Sequence, residues 1–63
     1  MMRLNRDKYL LARANSCVSI KDLVAAGIPR DTLYRAEHKE VRPETAGKIA
    51  KALGVDVTEI IEN

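Results

Sequence analysis

The sequence predicts an all-α fold, a compact bundle of about five short helices in one domain, residues 1–63. Hydrophobic residues make up 46% of the chain, but aromatic residues only 3%, with no Trp and no Phe. A core of Leu, Ile, Val and Ala favours packed helices, because strands are usually enriched in aromatic and β-branched residues. No segment has the pattern of a strand, and a chain of 63 residues is too short for two cores.

The first helix is predicted between Asn5 and about Ala14. Asn5 is a suitable N-cap, and Leu10 lies one turn before Ala14. The buried face stays ambiguous, since residues 9–12 form a run of large apolar side chains and alanine. Cys17 follows in the break NSCVS, and we expect it to be a packed or half-buried small residue.

The second and third helices are predicted to be joined by a very short turn. Ser19 and Asp22 have the spacing of a capping box, and Gly27 supplies the left-handed backbone that commonly ends a helix. Pro29 is predicted at the first position of the third helix. In that helix Leu33, Ala36 and Glu37 share one side, whereas Asp31, Tyr34 and Arg35 project from the other.

The fourth helix has the clearest periodicity in the chain. It is predicted to begin at Pro43 and to end at Gly54, with an apolar stripe of Ala46, Ile49, Ala50 and Leu53. Asp56 and Glu59 repeat the capping-box spacing, which predicts a last short helix holding Ile60 and Ile61. One of these isoleucines is expected to be exposed, as a candidate contact for a homodimer formed through the C-terminal helix.

Charge and composition narrow the possible functions. Residues 1–42 carry nine Lys or Arg against five Asp or Glu, whereas residues 43–63 carry two against four, an asymmetry that suits a polyanionic partner. One cysteine and one histidine, His38, are too few for a structural zinc site. The sequence shows no nucleophile paired with a base, so it gives no indication of an enzyme. We expect no cofactor, no small-molecule ligand and no membrane span, and a cytoplasmic location. His38 is expected in the loop after the third helix.

Two helices joined by a tight glycine turn are typical of the helix-turn-helix, here at about residues 19–38. The first helix braces the second, which is then free to enter the major groove of double-stranded DNA. Arg30 and Arg35 could pair with guanine, and Asp31 could accept from cytosine. Thr32 and Tyr34 flank them, and Lys21 is either a phosphate contact or a solvated charge.

The chain resembles the small bacterial and phage helix-turn-helix domains of the Cro and lambda-repressor type, the XRE family. LVAAGIPRDTLYRAE, residues 23–37, is similar to the family's second and third helices, and RPETAGKIAKALGVDVTEII, residues 42–61, to its fourth and fifth. The resemblance implies a transcriptional regulator. It also assigns roles, listed here by kind: base contacts at Arg30, Asp31 and Arg35; contacts near the phosphate backbone at Ser19, Lys39 and Arg42; and a structural ion pair between Arg13 and Glu37.

A second hypothesis keeps the same fold but gives it another use. Ile20 stands where the family frequently has glutamine, and Pro29 stands where it commonly has a capping serine or threonine. An apolar residue at position 20 favours a protein-interaction module, such as an antitoxin-like or phage accessory subunit, with weak or no DNA binding. Such a module would use Ile20, Tyr34 and Ile61 against its partner.

Overall fold

A computed structural model describes residues 2–62. Within this range the elements are α1 (Arg6–Ser16), α2 (Ile20–Ala25), α3 (Arg30–His38), α4 (Pro43–Leu53) and a 3-10 turn (Val57–Glu59). Extended pairing among these residues is limited to two isolated bridges. The prediction of an all-α fold is confirmed, and the last predicted helix is a single 3-10 turn. No helix in the described part of the chain is long and apolar enough to cross a bilayer.

The predicted helix caps form. The Asn5 side chain accepts from the Lys8 N–H at 3.0 Å. Ser19 and Asp22 exchange both hydrogen bonds of a capping box, and Asp56 with Glu59 does the same at the 3-10 turn. These caps satisfy N–H groups that have no partner within the helix itself.

The cap geometry predicts how stability responds to acid. Hydrogen bonds from the Ser19 N–H and hydroxyl hold the pKa of Asp22 below its ordinary value of 3.8, and Thr58 does the same for Asp56. A lowered pKa in the folded state stabilises the protein above the unfolded-state value, and this contribution is lost as the pH falls through the folded value. We therefore expect the free energy of unfolding, measured with urea, to fall below about pH 4. The fall should be less steep in a double variant with Asp22→Asn and Asp56→Asn. An equally steep fall in that variant would contradict the assignment.

Helix α1 is longer than predicted, and the structure shows the buried face that the sequence left open. It continues to Ser16, whose hydroxyl donates to the Leu53 carbonyl at 2.7 Å. Its buried residues are Tyr9 and Ala12, whereas Leu11 is 62% exposed. Cys17 adopts a left-handed backbone with φ 54° after the helix and is exposed, so the prediction of a packed or half-buried thiol is wrong.

The turn between α2 and α3 occupies residues 26–29. Gly27 has φ 100°, as its predicted role requires, and Ile28 beside it is buried, which fastens the turn to the core. Pro29 is the N-cap of α3 and not its first helical residue, and it makes no side-chain capping bond. Its ψ of 149° explains the difference, because the residue has the φ of a helix but not the ψ.

The core is built as the composition predicts, from small and aliphatic side chains with one tyrosine. The whole α4 stripe of Ala46, Ile49, Ala50 and Leu53 is buried, which confirms that prediction. The other buried residues come from every part of the fold: Leu4, Tyr9, Ala12, Leu23, Ile28, Leu33, Ala36, Val41 and Ile60.

The segment before α1 joins two distant parts of the chain, which the sequence did not indicate. Met2 exchanges backbone hydrogen bonds of 2.8 and 2.7 Å with Val41, and the Asn5 N–H donates to the Ile60 carbonyl at 2.8 Å. Ile60 and Ile61 lie after the 3-10 turn and not within a helix as predicted. Ile60 is fully buried, and Ile61 is half-buried and bridged to Leu4.

The ion pair predicted between Arg13 and Glu37 is replaced by other contacts among residues 2–62. Glu37 Oε1 lies 3.7 Å from Arg6 Nε. Arg13 donates from Nε to the Val18 carbonyl at 3.2 Å, and its guanidinium carbon lies 5.6 Å from the centre of the Tyr9 ring. Arg13 therefore lies beside the buried Tyr9 ring, and Glu37 pairs with Arg6 instead.

The Tyr9 hydroxyl predicts an unusual result for a core substitution. It is buried, and no described residue makes a hydrogen bond of good geometry with it, although the Arg13 guanidinium is close. Burial raises the pKa of Tyr9 above 10.0, the Arg13 charge opposes the increase and Glu37 adds to it. Because an unpaired buried hydroxyl costs free energy, we expect Tyr9→Phe to leave the free energy of unfolding unchanged or to raise it by about 1 kcal/mol. Urea unfolding, with the exposed Tyr34→Phe as control, measures this; a loss above about 1 kcal/mol would contradict it.

Candidate nucleic-acid interface

The outer face of α3 carries the side chains predicted to contact DNA bases. Arg30, Asp31 and Arg35 are all exposed. Within residues 2–62, neither arginine makes an ion pair or a side-chain hydrogen bond. The two guanidinium groups are therefore available to an external acceptor without first breaking a contact inside the protein.

The opposite face of α3 fixes the helix in place. Leu33 and Ala36 are buried, and they belong to the same core cluster as Leu23 of α2 and Ile28 of the turn. A short helix gains most of its stability from such packing and little from its own propensity. The arginines are thus presented from a helix that is held along its inner side.

A polar groove of about 470 Å³ runs along one flank of α3, between this helix and the start of α4. Its lining residues are Thr32, Arg35, Glu40, Val41, Arg42, Glu44, Thr45 and Lys48. Three basic residues face two acidic ones here, so the groove has only a slight positive excess. Arg42 Nη1 lies 3.9 Å from Glu44 Oε1, but the two side chains are 75% and 68% exposed. An ion pair so exposed is weak, so Arg42 can exchange its carboxylate for a phosphate at little cost.

An apolar notch of about 360 Å³ lies on the other flank of α3, against the start of α2. Its lining residues are Ile20, Arg30, Asp31, Leu33, Tyr34 and Glu37. Ile20 is half-buried and Tyr34 is 64% exposed, so the notch exposes apolar surface next to the two charged residues at the start of α3. The two flanks of the helix therefore differ in chemistry.

The remaining predicted contacts are distributed around this face. The Ser19 side chain is exposed, and its hydroxyl accepts the Asp22 N–H at 3.1 Å. Lys21 is exposed and close enough to Asp22 to lower its pKa, after the larger effect of the Ser19 hydrogen bonds. Lys39 is exposed but lies apart from the polar groove, beside Arg3 and Glu62 at the far end of α3.

Two short helices with a tight turn, the second exposing unpaired arginines, form the geometry of a helix-turn-helix. A family model of the Cro/C1-type HTH DNA-binding domain matches residues 8–63. The chain belongs to this family. No curated protein and no solved structure matches the chain. The family match confirms the resemblance seen in the sequence. Membership of a family of DNA-binding domains supports DNA binding as the general function of this Cro/C1-type domain.

Sequence reasoning missed two residues of this Cro/C1-type domain. His38 ends α3 and does not lie in the loop as predicted: its ring stacks on Tyr34 with centres 4.4 Å apart and an angle of 22°. Its Nδ1 lies 2.9 Å from the Tyr34 carbonyl, and since a carbonyl only accepts, Nδ1 carries the proton. The spacing of Asp31, Tyr34 and His38, which places them on one helical face, could have revealed it.

The second missed residue is Lys48, which lines the polar groove with Arg35 and Arg42. Helical periodicity places Lys48 away from the apolar stripe of α4, but it does not say which neighbouring element the side chain faces. Only the packing of α4 beside the loop after α3 brings Lys48 into the groove that Arg35 lines. The signal for this residue was therefore absent from the sequence pattern.

Proposed function

We propose that the protein is a sequence-specific transcriptional regulator of bacterial or phage type, acting in the cytoplasm by inserting α3 into the major groove. The observation that carries the proposal is a pair of exposed arginines, without an ion-pair partner among residues 2–62, on a helix whose other face is buried. Membership of the Cro/C1-type family supports it. The role is one of binding and not of catalysis.

Base recognition is assigned to Arg30, Asp31 and Arg35. A guanidinium group can donate to both O6 and N7 of guanine, which discriminates between base pairs by about 1–3 kcal/mol. Asp31 can accept from a cytosine amino group, and its charge repels phosphates, so it contributes to selection more than to affinity.

Phosphate contacts are assigned to residues around α3. On the polar flank, Thr32 and Arg42 share a groove with Lys48, which we add to the predicted set. Near the start of α2, Ser19 and Lys21 are both exposed. The remaining phosphate contact is Lys39 at the end of α3, while Tyr34, whose ring borders the apolar notch, flanks the base contacts. Such contacts fix the register of a protein on DNA and make binding dependent on salt.

Two copies per operator would suit this geometry. A two-fold pair places one α3 on each half-site about one helical turn apart. The proposed contact is the C-terminal segment, where Ile61 is half-buried while Ile60 is enclosed in the core. Ile61→Asp should weaken dimer formation, which sedimentation equilibrium would measure.

The experiment that tests this function is selection from a random pool of DNA duplexes, followed by titration of the selected duplex at two salt concentrations. We expect one sequence to be enriched and its affinity to fall with salt, since phosphate contacts release counterions. A double variant, Arg30→Ala with Arg35→Ala, should enrich nothing while keeping its helical circular dichroism. Enrichment of no sequence by the wild-type protein would contradict the proposal.

The apolar notch favours one other function, a protein-interaction module on the same fold. Ile20 and Tyr34 line the notch together, as that hypothesis requires, whereas Ile61 is bridged to the N-terminal segment. A pull-down with this protein as bait tests this function. It would be favoured if the bait recovers a stoichiometric protein partner and retains no DNA, and if the Ile20→Lys variant loses the partner.

A further inference from the structure

Ile20 lines the apolar notch between α2 and α3 and has no role in the DNA contacts assigned above. We infer that the notch receives the 5-methyl group of a thymine, so that Ile20 and Tyr34 determine specificity at one base pair. The inference rests on the proposed function, because it requires α3 to lie in the major groove, where the methyl group of thymine is exposed.

The chemistry of the lining favours this occupant. The half-buried Ile20 presents aliphatic surface, and the exposed ring of Tyr34 borders it, while Leu33, which also lines the notch, is itself buried. Ile20 and Leu33 offer no hydrogen-bond donor to a phosphate oxygen, and the carboxylates of Asp31 and Glu37 in the same lining repel its charge, so the notch suits the DNA backbone poorly. A methyl group requires no such donor.

The position of the notch favours a base edge over a protein side chain. Arg30 and Asp31 line the notch and also project from the outer face of α3. A base edge that either residue contacts therefore lies at the same notch that Ile20 lines. The charged residues that line the notch are one basic residue, Arg30, and two acidic residues, Asp31 and Glu37, a balance that suits a neutral methyl group better than a phosphate.

The stacking of Tyr34 on His38 supports a fixed shape for the notch. The ring centres lie 4.4 Å apart, and the His38 Nδ1 hydrogen bond to the Tyr34 carbonyl restrains the histidine. An exposed tyrosine restrained in this way loses less freedom on binding than a mobile one. The wall of the notch is thus ordered before DNA arrives.

The test uses the duplex selected by the wild-type protein, with each thymine replaced in turn by deoxyuridine, which removes only the methyl group. We expect one thymine per recognised half-site at which affinity falls about fourfold, the factor that corresponds to burying one methyl group. Ile20→Ala should bind the thymine and deoxyuridine duplexes equally. Val24→Ala, an exposed aliphatic change on the same helix outside the notch, should keep the fourfold difference.

Two results would overturn the inference while leaving the proposed function intact. One is a wild-type protein that binds its site but is indifferent to deoxyuridine at every thymine, as expected if a protein side chain occupies the notch. The other is an Ile20→Ala variant as sensitive as the wild type. If Ile20→Ala does not fold, Ile20→Val should show a difference between the two duplexes smaller than fourfold, and an undiminished difference overturns the inference. A wild-type protein that selects no sequence at all removes the proposed function and this inference with it.

Discussion

Arg35→Ala is expected to weaken binding to the selected duplex by about 1–3 kcal/mol, or roughly 5- to 150-fold, and to relax the choice of one base pair. Arg35 is exposed, unpaired within residues 2–62, and borders the polar groove on the outer face of α3. Its planar fork of donors can satisfy two acceptors on guanine, which no alanine or water molecule replaces in the same geometry.

The control for this prediction is Lys51→Ala, which removes the same charge from the last turn of α4, outside both flanks of α3. Competition binding with duplexes altered at single base pairs separates the two effects. Lys51→Ala should change affinity little and specificity not at all. If the two variants weaken binding equally and on all sequences alike, Arg35 does not contact a base.

Ile49→Ala is expected to destabilise the fold by about 2–5 kcal/mol, because it removes a fully buried side chain and leaves a cavity. A chain of 63 residues has a total stability of about 3–9 kcal/mol at usual values per residue. The substitution therefore removes a large part of the stability, and much of the variant should be unfolded at 37 °C. Thermal unfolding followed by circular dichroism measures the change.

The matched control for Ile49→Ala is Leu11→Ala, a change of similar size at a residue that is 62% exposed. It should alter the free energy of unfolding by no more than about 0.5 kcal/mol. This control also tests the observed orientation of α1, whose sequence left the buried face open. A large loss in Leu11→Ala would mean that α1 packs through a different face.

The parts of the fold that could be predicted depend on residues near one another in the sequence. The α4 stripe and the capping pairs Ser19 with Asp22 and Asp56 with Glu59 are local patterns, and each one formed as expected. The pairing of Met2 with Val41 depends on residues far apart in the chain. No periodicity indicates such a contact, so the role of the N-terminal segment had to come from the structure.

The candidate site shows the same division. The exposure of Arg35 follows from the helical period of α3, and that of Arg30 from its place at the tip of the helix, so both could be predicted. The partner of Glu37 could not, because Arg6 and Arg13 both lie on α1 and the choice depends on where the Tyr9 ring packs. Likewise Lys48 joins the polar groove only through the placement of α4.

The proposed function requires the outer face of α3 to lie in the major groove. Methylation interference at guanine N7 measures this directly, since N7 faces that groove. We expect interference at guanines within the selected site, with one of these positions lost in Arg35→Ala. Interference confined to adenine N3, which faces the minor groove, or no interference in a duplex that the protein binds, would contradict it.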